Sequence, residues 1–300
     1  MDDPALDAYV TLRGLRFHYR EYPPPEADQP QAEGPGRPLV LLHGLASNAR
    51  WWLLVGPLLA QRFHVLALNQ RGHGESDKPD DGYDFPTVAG DLAAFVEARG
   101  LERPVVVGHS WGSEVALAYA ATHPEQPAGI VLIEGGFMEV SAQPGATWER
   151  TEEMMAPPDL THLTPEELVK RAKQWALGSI WSEEIEAALL GNFRVAEDGG
   201  IRPHLSRANH MQVVRAYWEH HPLALCDSVR CPTLVIAAER QAEGRAGEWL
   251  EMKREAITRL EGRLSDCHVR WFPDSIHDLP LQRPKEIAQV IQEFALKLDG

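Results

Sequence analysis

Ser110 stands between two glycines in Gly108-His109-Ser110-Trp111-Gly112, after the apolar run Pro104-Val105-Val106-Val107 and before residues 114–121, whose apolar spacing is that of a packed helix. A serine held on a sharp strand-to-helix turn presents its hydroxyl above the sheet. Only neighbours nearly free of side chain let strand and helix approach closely enough for this, and Gly108 and Gly112 occupy those positions. The chemistry this permits is nucleophilic attack. At neutral pH a serine hydroxyl needs a general base within hydrogen-bond reach and a group that orients the base. The backbone N–H of Trp111, in the first turn of the helix, is one donor for a developing oxyanion. Thirteen histidines compete to be the base. His43, His73 and His109 adjoin glycines at turns and strand ends and are expected to hold loops. His204, His210, His220 and His221 lack the spacing of a closed metal site, so neither metal nor cofactor is expected.

The elements that would position these groups alternate along the chain. Residues 9–13 and 15–22, around Gly14, read as two antiparallel strands, and the Pro-rich stretch 23–38 as a solvated loop. Strands are predicted at 38–42, 63–68 and 130–133 besides the one ending at Ser110. Ser47 or Asn48 is placed to cap a helix carrying Trp51 to Leu54, and a further helix is predicted over 87–99. From about Phe137 to Pro222 the strand rhythm stops and the segment reads as helices, with Thr164-Pro165-Glu166-Glu167 as a capped start. The pattern then resumes with a strand at 233–237, a charged helix over 248–263, a strand at 268–272 and a helix over 284–297. Such alternation predicts an α/β fold: a mostly parallel twisted sheet flanked by helices, with an inserted helical cap. Residues 1–136 and 223–300 would form the core and 137–222 the cap. Trp148, Trp175, Trp181 and Trp218, with Met138, Met154, Met155 and Met211, are expected either to face a substrate or to form the insertion's own core.

With 29 Lys and Arg against 44 Asp and Glu, the formal charge of -15 opposes binding to nucleic acid or an anionic membrane. Three cysteines outside a paired framework suit a reducing compartment, and Met1-Asp2-Asp3-Pro4 has neither the basic nor the apolar region of a signal peptide. A cytoplasmic protein acting on a small molecule is the expectation. Oligomeric state is not legible.

Together, His43-Gly44 after one strand, Arg71-Gly72-His73-Gly74-Glu75-Ser76 after the next, the Ser110 turn, the helical insertion and a late histidine before the last helix resemble the α/β-hydrolase superfamily. The resemblance implies His277 as the base and the N–H of Leu45 as the second oxyanion donor. It also implies an acid a few residues after the strand at 233–237, where Gln241 stands. Two substitutes keep the order Ser, acid, His: Glu134, at the strand end that some haloalkane-dehalogenase-like members use, and Glu239, two residues early in the customary loop. Glu134 is favoured because a strand-end carboxylate is rigidly aimed. Epoxide-hydrolase and dehalogenase branches attack with Asp where this chain has Ser110, and the Gly-Gly-Pro-Gly run of proline iminopeptidases is absent. The expected reaction is therefore carboxylic-ester hydrolysis of a small to medium apolar or aromatic substrate by Ser110, His277 and Glu134. A cofactor-free haloperoxidase-like perhydrolase and a C–C bond hydrolase are alternatives on the same residues. A slow or non-catalytic ligand-binding receptor is the alternative from another class, motivated by Gln241.

Overall fold

The computed structural model describes residues 4–23, 36–240 and 245–298. In chain order the core holds β1 (Leu6–Leu12), β2 (Leu15–Tyr22), β3 (Gly36–Leu42), α1 (Gly56–Leu59), β4 (Phe63–Leu68), α2 (Phe85–Ala98), β5 (Val105–His109), α3 (Trp111–Thr122) and β6 (Gly129–Ile133). Next come α4 (Trp148–Met155), α5 (Pro165–Ala172), α6 (Glu183–Leu190), β7 (Phe193–Val195), β8 (Ile201–Pro203), α7 (Arg207–Glu219) and α8 (Pro222–Leu225). The core resumes with β9 (Thr233–Glu239), α9 (Arg245–Glu261), β10 (Cys267–Pro273), α10 (Leu279–Gln282) and α11 (Pro284–Lys297). The main sheet runs β1-β2-β4-β3-β5-β6-β9-β10. β1 with β2 and β2 with β4 are antiparallel, and every later pair is parallel.

The central strands are apolar on both faces because helices cover both. Alternate residues, Val40, Leu42, Val106, Ile130, Leu132 and Val235, pack with Leu92 and Phe95 of α2, Val115 of α3 and Leu260 of α9. Their neighbours Leu39, Leu41, Val105, Val107, Val131, Ile133 and Ile236 pack with Leu59 of α1 and with Ile287, Ile291 and Phe294 of α11. This period of two within continuous hydrophobic runs is the signature of a buried parallel sheet.

Several local expectations change. Asn48 accepts from the Arg50 N–H as foreseen, but it caps a 3-10 turn over Ala49–Trp52. The expected all-helical stretch after β6 also contains the antiparallel pair β7–β8, three residues per strand, closed through Ala196 to Gly200. The charged helix is Arg245–Glu261, shifted toward its N-terminus. Residues 24–35 of the Pro-rich loop, and Gln241, lie outside the described residues. No helix among the described residues is long and apolar enough to cross a membrane.

Candidate active site

β5 delivers Ser110 to its position, and the backbone there is bent into φ 53°, ψ -120°, a conformation costly for a residue with a side chain. The turn is over-determined by its surroundings. Ser110 N–H donates to Ile133 O at 2.8 Å, and Ser113 N–H donates to Ser110 O at 2.9 Å. A Cβ on Gly108 would lie 2.2 Å from Gly112 O, and one on Gly112 would lie 2.4 Å from Leu42 O. The two glycines therefore let α3 seat directly on β3 and β5.

Glu134 follows β6, also at positive φ (54°). Its N–H donates to Ile236 O at 2.9 Å, and its buried Oε1 accepts from Ala238 N–H at 2.7 Å. His277 sits in the loop between β10 and α10, and its Nδ1 lies 3.3 Å from Glu134 Oε2. Its carbonyl accepts from His109 Nε2 at 3.0 Å, which ties the loop to the strand that carries Ser110. Desolvation lowers the His277 pKa, but the hydrogen bond to Glu134 and the charges of Asp278 and Glu134 outweigh it, and the pKa is raised above its ordinary value. Desolvation likewise raises the Glu134 pKa, and there the His277 hydrogen bond and the charge of Lys253 win, leaving it lowered. Glu239, by contrast, ends β9 and is ion-paired with Arg254; it makes no side-chain bond to His277.

Leu45 lies just beyond β3, and its N–H and that of Trp111 donate to no acceptor among the described residues. Two neutral histidines fix this loop. His43 Nδ1 bonds Gly44 O at 2.8 Å and its Nε2 accepts from Gln70 N–H at 3.2 Å; His73 Nδ1 bonds Arg71 O at 2.8 Å and its Nε2 accepts from Ala46 N–H at 3.2 Å. Desolvation pushes His43 down to about 4, His109 down to about 3 and His73 well below its usual value. The indole of Trp111 stacks on His73 at 5.0 Å. The structure thus joins Glu134 to His277 and leaves two N–H groups near the turn unpaired. The Ser110 hydroxyl itself has no hydrogen-bond partner among the described residues.

A cavity of about 540 Å³ opens between the core loops at Ala46, Ser47 and His73 and the segment that follows β6. Its apolar wall is made by Pro157, Pro158, Leu160, Phe193 and Leu205, with Asp159, Asn192, His204, Arg207 and His210 in the polar lining. The tryptophans singled out from sequence are elsewhere: Trp148 packs edge-on against Trp218, Trp181 joins small apolar clusters, and Trp175 is exposed. Met154 is exposed as well. Those side chains form the segment's own packing and surface, the second of the two alternatives the sequence left open.

Two residues escaped the sequence reading. Lys253 of α9 is buried and places Nζ 2.9 Å from both Glu134 oxygens. Glu114 of α3, also buried, accepts from Gly136 N–H at 2.9 Å and lies 3.1 Å from His220 Nε2, which fixes the loop after Glu134. Among the described residues no group of three His, Cys, Asp or Glu side chains is placed to hold a metal ion.

The chain belongs to the α/β-hydrolase fold family, whose model matches residues 37–240. It is similar to the soluble epoxide hydrolase of Corynebacterium sp. strain C12, 38% identical over 109 residues, 36% of this chain and 34% of that protein. It is also similar to the 2-(acetamidomethylene)succinate hydrolase of Mesorhizobium japonicum, 33% identical over 102 residues, 34% of this chain and 37% of that one. The chain thus matches about a third of the length of these curated relatives. Among solved structures, that of E-2-(acetamidomethylene)succinate hydrolase superimposes with a TM-score of 0.75 at 22% identity, covering 97% of this chain and 98% of the other. The thioesterase domain of the curacin biosynthetic pathway gives 0.73 at 17% identity, covering 96% and 99%. These likenesses extend the shared fold over almost the whole chain.

Proposed function

We propose that the protein is a serine hydrolase acting on an acyl carbonyl, a carboxylic-ester hydrolase for a small to medium apolar substrate. The observation that carries the reading is the Ser110 turn: a non-glycine residue held at φ 53°, followed by the unpaired N–H of Trp111 and packed so closely on Gly44, the residue before Leu45, that a Cβ there would lie 3.2 Å from Ser110 Cβ. In the mechanism, His277 Nε2 takes the proton of Ser110 as the hydroxyl oxygen attacks the carbonyl carbon. The N–H groups of Leu45 and Trp111 receive the oxyanion, and Glu134 holds His277 with Nδ1–H toward it. His277 then gives the proton to the leaving alkoxide, and water repeats the sequence on the acyl-enzyme. The Ser110 to His277 contact is made when substrate brings the groups into line; catalytic hydrogen bonds tighten in the Michaelis complex.

Residues 137–222 act as the cap in this reading, and the cavity beneath them takes the acyl or alcohol portion. Serine where the epoxide-opening branch uses Asp supports acyl chemistry over epoxide opening, despite the similarity to an epoxide hydrolase. The test is labelling by a fluorophosphonate probe with mapping of the modified residue. Rapid modification of Ser110, abolished in Ser110→Ala, is the expected result, followed by turnover on an ester and thioester panel. A folded protein that never labels would remove the reading and bring the receptor alternative forward.

A further inference from the structure

Lys253 occupies a position where a lysine is costly. On α9 it shares the inward face with Leu250, Ile257 and Leu260, and it is only 7% exposed. An ammonium group taken out of water costs several kcal/mol unless its charge and all its protons are matched. Here they are: Nζ donates to Glu134 Oε1 and Oε2, each at 2.9 Å, and to Ala238 O at 3.0 Å. Three protons meet three acceptors. The carboxylate is bound in turn by the Ala238 N–H and by His277. Rotating it would break contacts on three sides.

We propose that Lys253 is a positioning residue for the Glu134–His277 couple: it locks the carboxylate toward His277 and offsets its charge, so that the ring releases its proton in less alkaline solution than it would beside a lone carboxylate. The proposal rests on the serine-hydrolase reading of that couple. The charged and titratable groups facing His277 are Glu134, Asp278, Lys253 and the neutral ring of His109, whose centroid is 4.9 Å away. Desolvation opposes the imidazolium, two carboxylates favour it, and among these charged groups Lys253 is the one that works against them. Around Lys253 itself, Arg254 is occupied by Glu239 and Glu251 on the exposed side of the helix, which leaves Glu134 as the counter-ion.

The experiment is an NMR titration of the His277 ring in the full chain, its resonance assigned by its loss in His277→Asn. It is run for the wild type, Lys253→Met, Lys253→Gln and Lys253→Arg, with fluorophosphonate labelling rates measured across the same pH range. Lys253→Gln keeps a donor to Glu134 without the charge and serves if the Met variant fails to fold. The Met and Gln variants should move the His277 midpoint upward by about one pH unit, and the acid limb of labelling by the same amount, while Lys253→Arg leaves both in place. An unmoved or lowered midpoint in a folded neutral variant overturns the proposal, whatever the labelling does. If the midpoint moves as expected but Ser110 never labels, the hydrolase reading falls and the coupling of Lys253 to His277 stands.

Discussion

The backbone N–H of Ser110 donates to the carbonyl of Ile133 at 2.8 Å, and Ile133 is the residue that precedes Glu134. The serine turn and the carboxylate turn are thereby pinned to each other at the ends of neighbouring strands, each at a positive φ. Errors in one are transmitted to the other through a single peptide.

Glu134→Gln should lower the labelling and turnover rates by roughly 10³ to 10⁴, because the amide cannot stabilise the imidazolium that forms at His277. Glu239→Gln should change little, since that carboxylate meets Arg254 and makes no side-chain bond to His277. Glu134→Gln also strands the Lys253 ammonium, so urea midpoints must accompany the rates. A larger loss from Glu239→Gln than from Glu134→Gln would refute the assignment.

Gly112→Ala should destabilise the fold by about 1–3 kcal/mol or more and abolish labelling, because the new methyl would meet the Leu42 carbonyl at 2.4 Å. Gly108→Ala meets Gly112 O at 2.2 Å and should behave alike. Both obstacles are backbone atoms that cannot swing aside. Unfolding midpoints and probe labelling measured together would show it.

Acid should weaken the protein in a defined window. His43 and His109 have folded pKa values of about 4 and about 3, below the ordinary 6.5, so the unfolded chain takes up their protons first. Their stabilisation is complete above pH 6.5 and falls by about 1.4 kcal/mol per pH unit for each as pH drops toward the folded values. His277 has the opposite sign: with a raised pKa, its contribution is full below pH 6.5 and is lost as pH rises through the folded value. Glu134, with a lowered pKa, contributes above pH 4.5 and loses that only as pH falls further. Between pH 6.5 and 4.5 neither of these two groups changes its share, so urea unfolding there reads the buried histidines. His43→Asn should flatten the slope.

Arg71→Met should cost about 3–5 kcal/mol of stability, because it leaves the buried Asp91 carboxylate without its main partner. Replacing both, as Arg71→Met with Asp91→Leu, should recover much of the loss. A double-mutant cycle on denaturant midpoints gives the coupling.

Much of this was legible because it is written in local pattern. The strand preceding Ser110, the glycines around it and the alternation of strands with helices follow from short-range sterics and hydrophobic period. The contact of Glu134 with His277 was reachable through the family resemblance, with strand-end rigidity ranking Glu134 above Glu239. What the sequence hid was made by distance. Lys253 lies 119 residues from its partner, within a helix whose charge content reads as a solvated face. One signal was available: Leu250, Lys253, Ile257 and Leu260 follow the spacing of an inward stripe, and a lysine on such a stripe calls for a buried counter-ion. The cavity lining stayed open for a different reason. Trp and Met content says that a segment has large side chains to bury but not which face they take, and here prolines, Leu160, Phe193 and Leu205 took the inner one.

β6 and β9 are direct neighbours in the sheet, although all of α4 to α8 is spelled out between them. The chain leaves the core after Ile133 and re-enters beside the same strand, so the intervening stretch is an excursion whose two ends share one doorway. Such an excursion can be lengthened, shortened or exchanged by recombination without shifting the register of any strand. Ser110 and Glu134 are both encoded ahead of it, and Lys253 and His277 both behind it. Ancestry can therefore rewrite the excursion while leaving those four residues untouched, and the positions to be kept in step are those that bridge back to the core, such as His220 to Glu114 and Asn209 to Tyr83.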